Sequence, residues 1–360
     1  MLPLLITLIV AVGADSHAVC GSWSAGTALP TARLSVTVNQ LPVYEGDIYM
    51  VGGWSDTARI PDTTIYSIDN DHYSSGANYP DTGIAGSAQV LHDGKIYVFG
   101  GVLQSTKWYT DQLYIYNIAS DSWSTGTDVP WGAEGMFAVL DPTSGLIYIG
   151  GGCEMPVTVH DEWYAYDPAT DTWTEKETMP MVGGNGVAGY HDGNIYIACG
   201  TRATERSDND PPWRYDVDTD TWTVLESPIP TKVVLAGGGL FQGRLYIFGG
   251  KTSMSGSYTD AVQIYDIARN GWLVSNVNHK FEPVPVSYGY TQGAFVDSTF
   301  YMFGGWDERT KYAALYEYDI PVNMIRIIVI VGTALILIWM TAMVTLTLHK
   351  TRRTKTNGKR

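Results

Sequence analysis

The chain has 360 residues, and its 37 Asp and Glu against 22 Lys and Arg give a formal net charge of −15. A body this acidic repels phosphate, which excludes non-specific nucleic-acid binding. Aromatic content of 12% and 39 glycines suit many short strands joined by tight turns, and no sustained 3.6-residue apolar period predicts a helix between the two ends.

The chain opens with an apolar run, Leu2 to Gly13, that is too short to span a bilayer. Ala11-Val12-Gly13 satisfies the small-x-small rule for cleavage before Ala14, so residues 1–13 read as a secretory signal peptide. No Lys or Arg precedes the run, and an uncleaved short anchor is the alternative. Next comes Gly21-Ser-Trp-Ser-Ala-Gly-Thr-Ala-Leu-Pro30, which matches Asp121-Ser-Trp-Ser-Thr-Gly-Thr-Asp-Val-Pro130 almost position for position.

Six copies of one hexapeptide follow: Ile48-Tyr-Met-Val-Gly-Gly53, Ile96-Tyr-Val-Phe-Gly-Gly101, Ile147-Tyr-Ile-Gly-Gly-Gly152, Ile195-Tyr-Ile-Ala-Cys-Gly200, Leu245-Tyr-Ile-Phe-Gly-Gly250 and Phe300-Tyr-Met-Phe-Gly-Gly305. Their tyrosines, at 49, 97, 148, 196, 246 and 301, step by 48, 51, 48, 50 and 55 residues. In the second copy, Gln89 to Gly101 reads as a strand a, an Asp93-Gly94 hairpin turn and a strand b. Asp111 to Tyr116 opens strand c, and Ser120-Asp121 turns the chain into strand d around Trp123. The glycines Gly52, Gly53, Gly100, Gly101, Gly151, Gly152, Gly200, Gly249, Gly250, Gly304 and Gly305 read as packing devices on strand b, where a side chain would block close backbone approach.

A second ladder keeps the same period. Tyr66 and Tyr73, Tyr116 and Trp123, Tyr166 and Trp173, Tyr215 and Trp222, and Tyr265 and Trp272 are each seven apart, one aromatic on strand c and one on strand d. Trp23, Trp123, Trp173, Trp222 and Trp272 accordingly read as structural repeat positions. Asp111, Asp161, Asp210 and Asp260 each stand five residues before the strand-c tyrosine. A glycine pair, a tyrosine and a tryptophan at a period near fifty resemble the kelch repeat, over about Cys20 to Ile320. The resemblance implies an all-β fold, a six-bladed kelch β-propeller occupying residues 14–320 as one ectodomain. The sixth copy lacks its tryptophan, since strand c ends at Tyr318-Asp319-Ile320. Trp23 then supplies strand d to the last blade, so the N-terminal strand closes the ring and hides its open edge.

At the far end, Ile327 to Leu348 is a run of 22 residues without a charge. At ~1.5 Å per residue it reaches about 33 Å, enough for a hydrocarbon core of ~30 Å, and residues 324–348 read as one C-terminal transmembrane α-helix. Trp339 lies within it, and Arg326 sits at its edge, able to snorkel. Residues 349–360 carry Lys350, Arg352, Arg353, Lys355, Lys359 and Arg360, a basic tail that stays cytoplasmic. The expected topology is single-pass type I, with the propeller lumenal or extracellular. All 37 acidic residues but only 15 basic ones precede Arg326, so the body carries −22 and the rest +7. The body holds no Asn-x-Ser/Thr sequon. Its cysteines are Cys20, Cys153 and Cys199, and a bridge between the last two is disfavoured because facing blades meet through opposite strand faces.

Antiparallel connectivity sorts the loops. The a–b and c–d turns leave one face and are short; the b–c and d–a segments leave the other and are long, which makes the long-loop face the expected binding surface. Its b–c residues are Trp54, Arg59, Lys107, Trp108, His160, Arg202, Arg206, Trp306 and Arg309; the d–a segments add Arg33, Trp131, Lys232, Tyr288 and Tyr290. Arginines mixed with aromatics are enriched at protein hot spots. Arg33, Trp54 and Trp306 equally suit blade packing. Strand c of the last blade should deliver Ile320 to the short-turn face, and Pro321 to Asn323 span roughly 10 Å before the membrane segment. The short-turn face is then expected to lie toward the bilayer.

Asp216, Asp218 and Asp220 alternate like part of a calcium loop but lack its glycine and distal Glu, so they read as solvated turn acids, as does Asp208-Asn-Asp210. His92 and His191 are repeat echoes in equivalent turns. No HExxH, GxSxG, Walker, CxxC, kinase or dinucleotide motif appears, and no cofactor or metal is implied. Kelch propellers mostly act as interaction platforms, so the resemblance implies a non-enzymatic module binding a protein or glycan. Exported kelch-type enzymes are the alternative: a copper oxidase would need more histidines than His160, whereas a sialic-acid-epimerase-like site would need a funnel such as Arg202, Arg206, Glu205 and Glu154. A membrane-bound scaffold is the third reading; the span has one glycine, Gly332, and no GxxxG.

Overall fold

The computed structural model describes residues 21–35, 37, 40–154, 158–180, 183–200, 211–253, 255–273 and 281–320. They belong to one unit running from Cys20 to Ile320. The expected signal peptide, transmembrane helix and tail lie outside the described residues, as do Cys20, Arg202, Glu205, Arg206 and Asp208 to Asp210. Among the described residues no helix is long and apolar enough to cross a membrane.

Each hexapeptide enters strand b of a four-stranded antiparallel sheet, and six such sheets form the blades. In order a to d, blade 1 is Val43–Tyr44, Asp47–Val51, Thr63–Ser67 and His72–Gly76. Blade 2 is Ala88–His92, Lys95–Phe99, Leu113–Asn117 and Ser122–Thr125; blade 3 is Phe137–Leu140, Ile147–Gly150, Trp163–Asp167 and Thr172–Glu175. Blade 4 is Val187–His191, Asn194–Ala198, Trp213–Asp216 and Thr221–Val224; blade 5 is Gly237–Phe241, Arg244–Phe248, Val262–Asp266 and Gly271–Leu273. Blade 6 takes Gln292–Val296, Thr299–Phe303 and Leu315–Asp319 from the end of the body and Ser22–Ala25 from its start, as the N-terminal match predicts. Neighbouring a strands contact one another around the centre. Strand b is apolar throughout because both of its faces are covered: Ile96, Val98 and Phe99 are fully buried. Strand d is polar but for one aromatic because it is the outer, solvated edge.

The seven-residue aromatic spacing becomes direct cross-strand pairing. Tyr116 faces Trp123, Tyr166 faces Trp173, and Trp23 faces Tyr318 across the closure. Their ring centroids are 5.1, 4.8 and 4.8 Å apart. Such pairs contribute about 0.5–1.5 kcal/mol each beyond their buried area. In blade 5 Trp272 faces Tyr265 in the same register, with centroids 5.3 Å apart. Its ring stands edge-on at 66°, against the 43° tilt in blades 2 and 3.

Three repeated sets of hydrogen bonds tie each blade to the next. In the first, the second glycine of each pair donates its N–H to the incoming segment of the following blade: Gly53 to Ile84, Gly101 to Ala133, Gly152 to Gly183, Gly200 to Val233, Gly250 to Tyr288 and Gly305 to Arg33, at 2.8 to 3.3 Å. The glycine pair thus lies just past strand b rather than within it, and its main requirement is conformational. Gly100 and Gly101 have φ of 58° and 100°, in the left-handed region. Close approach matters as well, since a Cβ at Gly52 would overlap the Ile84 carbonyl.

The second set is a ring at the channel mouth. Gly86 N–H donates to Ser35, Gly135 to Gly86, Asn185 to Gly135, Leu235 to Asn185, Tyr290 to Leu235 and Ser35 to Tyr290, closing head to tail at 2.7 to 3.4 Å. All six residues have positive φ, including the non-glycines Ser35, Asn185, Leu235 and Tyr290.

The third set lies on the outer edge. Trp123 Nε1 donates to the Ala77 carbonyl at 2.9 Å while Asp121 accepts from Ala77 N–H at 2.5 Å and from Tyr116 Oη at 2.6 Å. Trp173 and Asp171 grip Thr127 in the same way, and Trp222 and Asp220 grip Glu177. Trp272 is half-buried and donates Nε1 to the Ser227 carbonyl at 3.0 Å, tying blade 5 to blade 4. Here the repeat is incomplete. Asn270 stands where blades 1 to 4 carry an aspartate, and it accepts from Tyr265 Oη. Trp272 therefore makes the edge hydrogen bond without the aspartate that accompanies Trp123, Trp173 and Trp222.

Asp220 is not a solvated turn acid: it also accepts from Tyr215 Oη at 2.6 Å, so it stitches blade 4 to blade 3. The recurrent Tyr-x4-Asp spacing was the sequence signal for this role. Asp216 accepts from the N–H groups of Asp218 and Thr219 at 3.1 and 3.0 Å, which closes the turn between strands c and d. His92 and His191 each approach the next aspartate at 3.6 Å, in equivalent turns. Cys153 and Cys199 are not bridged to each other.

Candidate functional site

On the long-loop face, the chain leaving the glycine pair doubles back in a small hairpin in blades 1, 2, 3, 5 and 6. Its bridged pairs are Trp54/Arg59, Val102/Tyr109, Cys153/Val159, Lys251/Tyr258 and Trp306/Lys311. Bridged antiparallel residues stand side by side, so the hairpins bring cations onto rings. Arg59 Cζ lies 5.1 Å from the Trp54 ring centroid, and Lys251 Nζ lies 5.0 Å from that of Tyr258. Lys311 crosses from blade 6 to blade 1, putting Nζ 5.0 Å from the Trp54 centroid and donating to the Ser55 carbonyl. Trp54 remains 44% exposed between these neighbours.

The cluster continues into blade 2. Arg59 N–H donates to Gln104 Oε1 at 3.1 Å, and Gln104 begins the loop that displays Lys107 and Trp108, the latter 72% exposed. Burial lowers the pKa of Arg59, opposed by the charge of Glu134 and by Tyr109. Burial also lowers that of Lys311, opposed by Asp56.

The other predicted loop residues separate by burial. Arg33 is 1% exposed and donates Nη1 to the Gly52 carbonyl at 3.0 Å, with Asp62 at 3.7 Å, so it packs the blade wall instead of presenting a charge. Trp131 is likewise buried, donating Nε1 to the Gly151 carbonyl at 3.1 Å and packing on His160, with ring centroids 6.1 Å apart. His160 is buried with Nδ1 3.1 Å from Glu162 and Nε2 3.2 Å from Glu154. These three therefore leave the surface list. Tyr288 is buried against Tyr312, and half-buried Tyr290 meets half-buried Trp306 edge-on at 5.8 Å. Lys232 is half-buried and Arg309 exposed. Sequence reasoning missed Lys311 and Lys251; the charge of Lys251 is taken up by Glu308 at 2.5 Å. Inside the ring of left-handed residues lies a shallow open depression of only about 10 Å³, lined by Ser35, Thr37, Asn185, Leu235, Ala236, Tyr290 and Thr291. None of these lining groups is charged.

A closed ring of six four-stranded blades, with a glycine pair and an edge tryptophan in five of the six and a tyrosine in each, defines a kelch-type β-propeller. The chain belongs to the Attractin/LZTR1 beta-propeller family, whose pattern matches residues 48–313. It is 30% identical over 113 residues to Kelch-like protein terF of Aspergillus terreus; the match covers 30% of this chain and 23% of that protein, so the chain spans under a quarter of that relative. The solved structure of YjhT superposes with a TM-score of 0.65 at 15% identity, over 81% of this chain and 96% of that one, a likeness of fold. Propellers of the kelch type commonly serve as protein-interaction modules.

Proposed function

We propose that this is a single-pass type I membrane protein whose propeller binds a partner protein through its b–c and d–a loop face. Residues 1–13 would be the signal peptide, 14–320 the ectodomain, 324–348 the span and 349–360 the cytoplasmic tail. The uncharged run of 22 residues followed by the basic tail supports the topology. The observation that carries the recognition reading is the exposure of two tryptophans on one face, Trp54 at 44% with Arg59 and Lys311 over its ring and Trp108 at 72% next in the chain to exposed Lys107. Large exposed aromatics next to basic groups are the residues that dominate protein interfaces. A screen of ectodomain and glycan libraries against the protein tests it. A partner whose affinity falls about ten-fold or more in Trp54→Ala or Trp108→Ala supports the reading, and a partner indifferent to both removes it. Sugar turnover without binding would favour the epimerase-like alternative.

A further inference from the structure

We infer that the cluster of Trp54, Arg59 and Lys311 is built to take a carboxylate-rich segment of the partner protein, an inference that rests on the loop-face reading above. The body carries −22, yet here two cations converge within about 5 Å of one exposed indole. Elsewhere on this face a buried cation has its carboxylate: Arg33 has Asp62 at 3.7 Å and Lys251 has Glu308 at 2.5 Å. Among the described residues Arg59 and Lys311 have no carboxylate within 4.0 Å; Glu134 and Asp56 act on them only from further off, so neither cation is held in a close ion pair like those of Arg33 and Lys251.

Both are also held in place. The Arg59 backbone is fixed by Gln104, and the Lys311 ammonium by the Ser55 carbonyl. Fixed donors lower the ordering penalty on binding. Exposed Lys107, on the loop that Gln104 begins, extends the positive charge toward Trp108. The acidic body would repel such a segment at long range, and ionic strength separates the two effects. The Debye length is about 30 Å at 0.01 M and about 8 Å at 0.15 M, so moderate salt screens the distant repulsion before the local contacts. Affinity should therefore rise from 10 mM toward physiological salt and fall again near 1 M, where the Debye length is about 3 Å.

The test uses the full chain in non-ionic detergent and a fluorescein-labelled decapeptide of alternating glutamate and leucine, with its glutamine counterpart as control, read by anisotropy. The expected result is binding of the glutamate peptide at least ten-fold tighter than the glutamine peptide. The affinity should fall at least ten-fold in the Arg59→Gln/Lys311→Gln double variant and about three-fold in Lys107→Glu, a change on an exposed loop that leaves packing alone. Lys95→Gln, on the opposite face, should change nothing. Equal binding of the two peptides overturns the inference, as does binding unaffected by both patch variants, or capture of heparin fragments but not of the peptide. If partners from the screen depend on Trp108 but not on Arg59 and Lys311, this inference fails while the loop-face reading stands. If no loop variant affects any partner, both fail.

Discussion

Trp23 Nε1 donates to the carbonyl of Glu282 at 3.2 Å, joining residues 259 positions apart. It is the same bond that Trp123, Trp173, Trp222 and Trp272 make to the blade before them, so the strand that closes the ring makes the same edge contact as those threaded in sequence. Where the ring continues into blade 1, Tyr73 stands in for the tryptophan and its hydroxyl donates to the Thr27 carbonyl at 2.8 Å. Trp23→Ala should therefore destabilise the body by about 3 kcal/mol, as much as Trp222→Ala. Urea unfolding of the two variants checks this; a loss under about 1 kcal/mol for Trp23→Ala alone would mean that the ring does not depend on its closing strand.

Cys199 occupies the first glycine position of the fourth repeat with φ of 56°. A side chain in the left-handed region costs roughly 1–2 kcal/mol. Cys199→Gly should restore the pattern of the other repeats and raise stability by about 1 kcal/mol, after the backbone entropy of glycine is subtracted. Gly200→Ala should do the reverse, because its new Cβ would overlap the backbone N of Gly186. Burial pushes the Cys199 thiol up to about 12, so iodoacetamide at pH 8 should label it far more slowly than a free thiol.

The edge clamps predict acid sensitivity. The Tyr116 hydroxyl and then the Ala77 N–H hold the Asp121 carboxyl below its usual range; the hydroxyls of Thr27 and Tyr66 do the same for Asp71. A depressed folded pKa contributes stability that is complete above the unfolded value of about 3.9 and is lost as pH falls through the folded one. The urea midpoint should hold through neutral pH and drop below about pH 4. Asp121→Asn should lower it at pH 7 and flatten the acid drop; an unchanged acid slope in that variant would show that the clamp is not the titrating element.

Membrane orientation is open to direct measurement. Strand c of blade 6 ends at Asp319, where the a–b turns also emerge. On intact membranes, from the side that carries the propeller, an epitope inserted at Thr106, in a b–c loop, should be readable, whereas one at Asp93-Gly94 should be shielded. Equal access would reject the proposed orientation.

The blade was legible because its rules are local. A double glycine after an apolar run, an Asp-Gly turn and two aromatics seven apart are requirements of one sheet, and they recur wherever that sheet recurs. Even the closing strand could be found, since Trp23 carries the same ten-residue pattern as its counterparts. Arg33 and Arg59 show why the surface was not legible. Both are loop arginines in sequence, but one is sealed against Gly52 while the other lies over an exposed indole.

The sequence alone determined the repeat and its register, because pairing and turns within a blade depend on neighbours inside one repeat, and it determined the closure because Trp23 carries the strand-d pattern that the sixth copy lacks. Only the tertiary structure decided which loop groups meet. Lys311 reaches the Ser55 carbonyl across 256 residues, and the order in which blades close a ring, not any local pattern, makes those two segments neighbours.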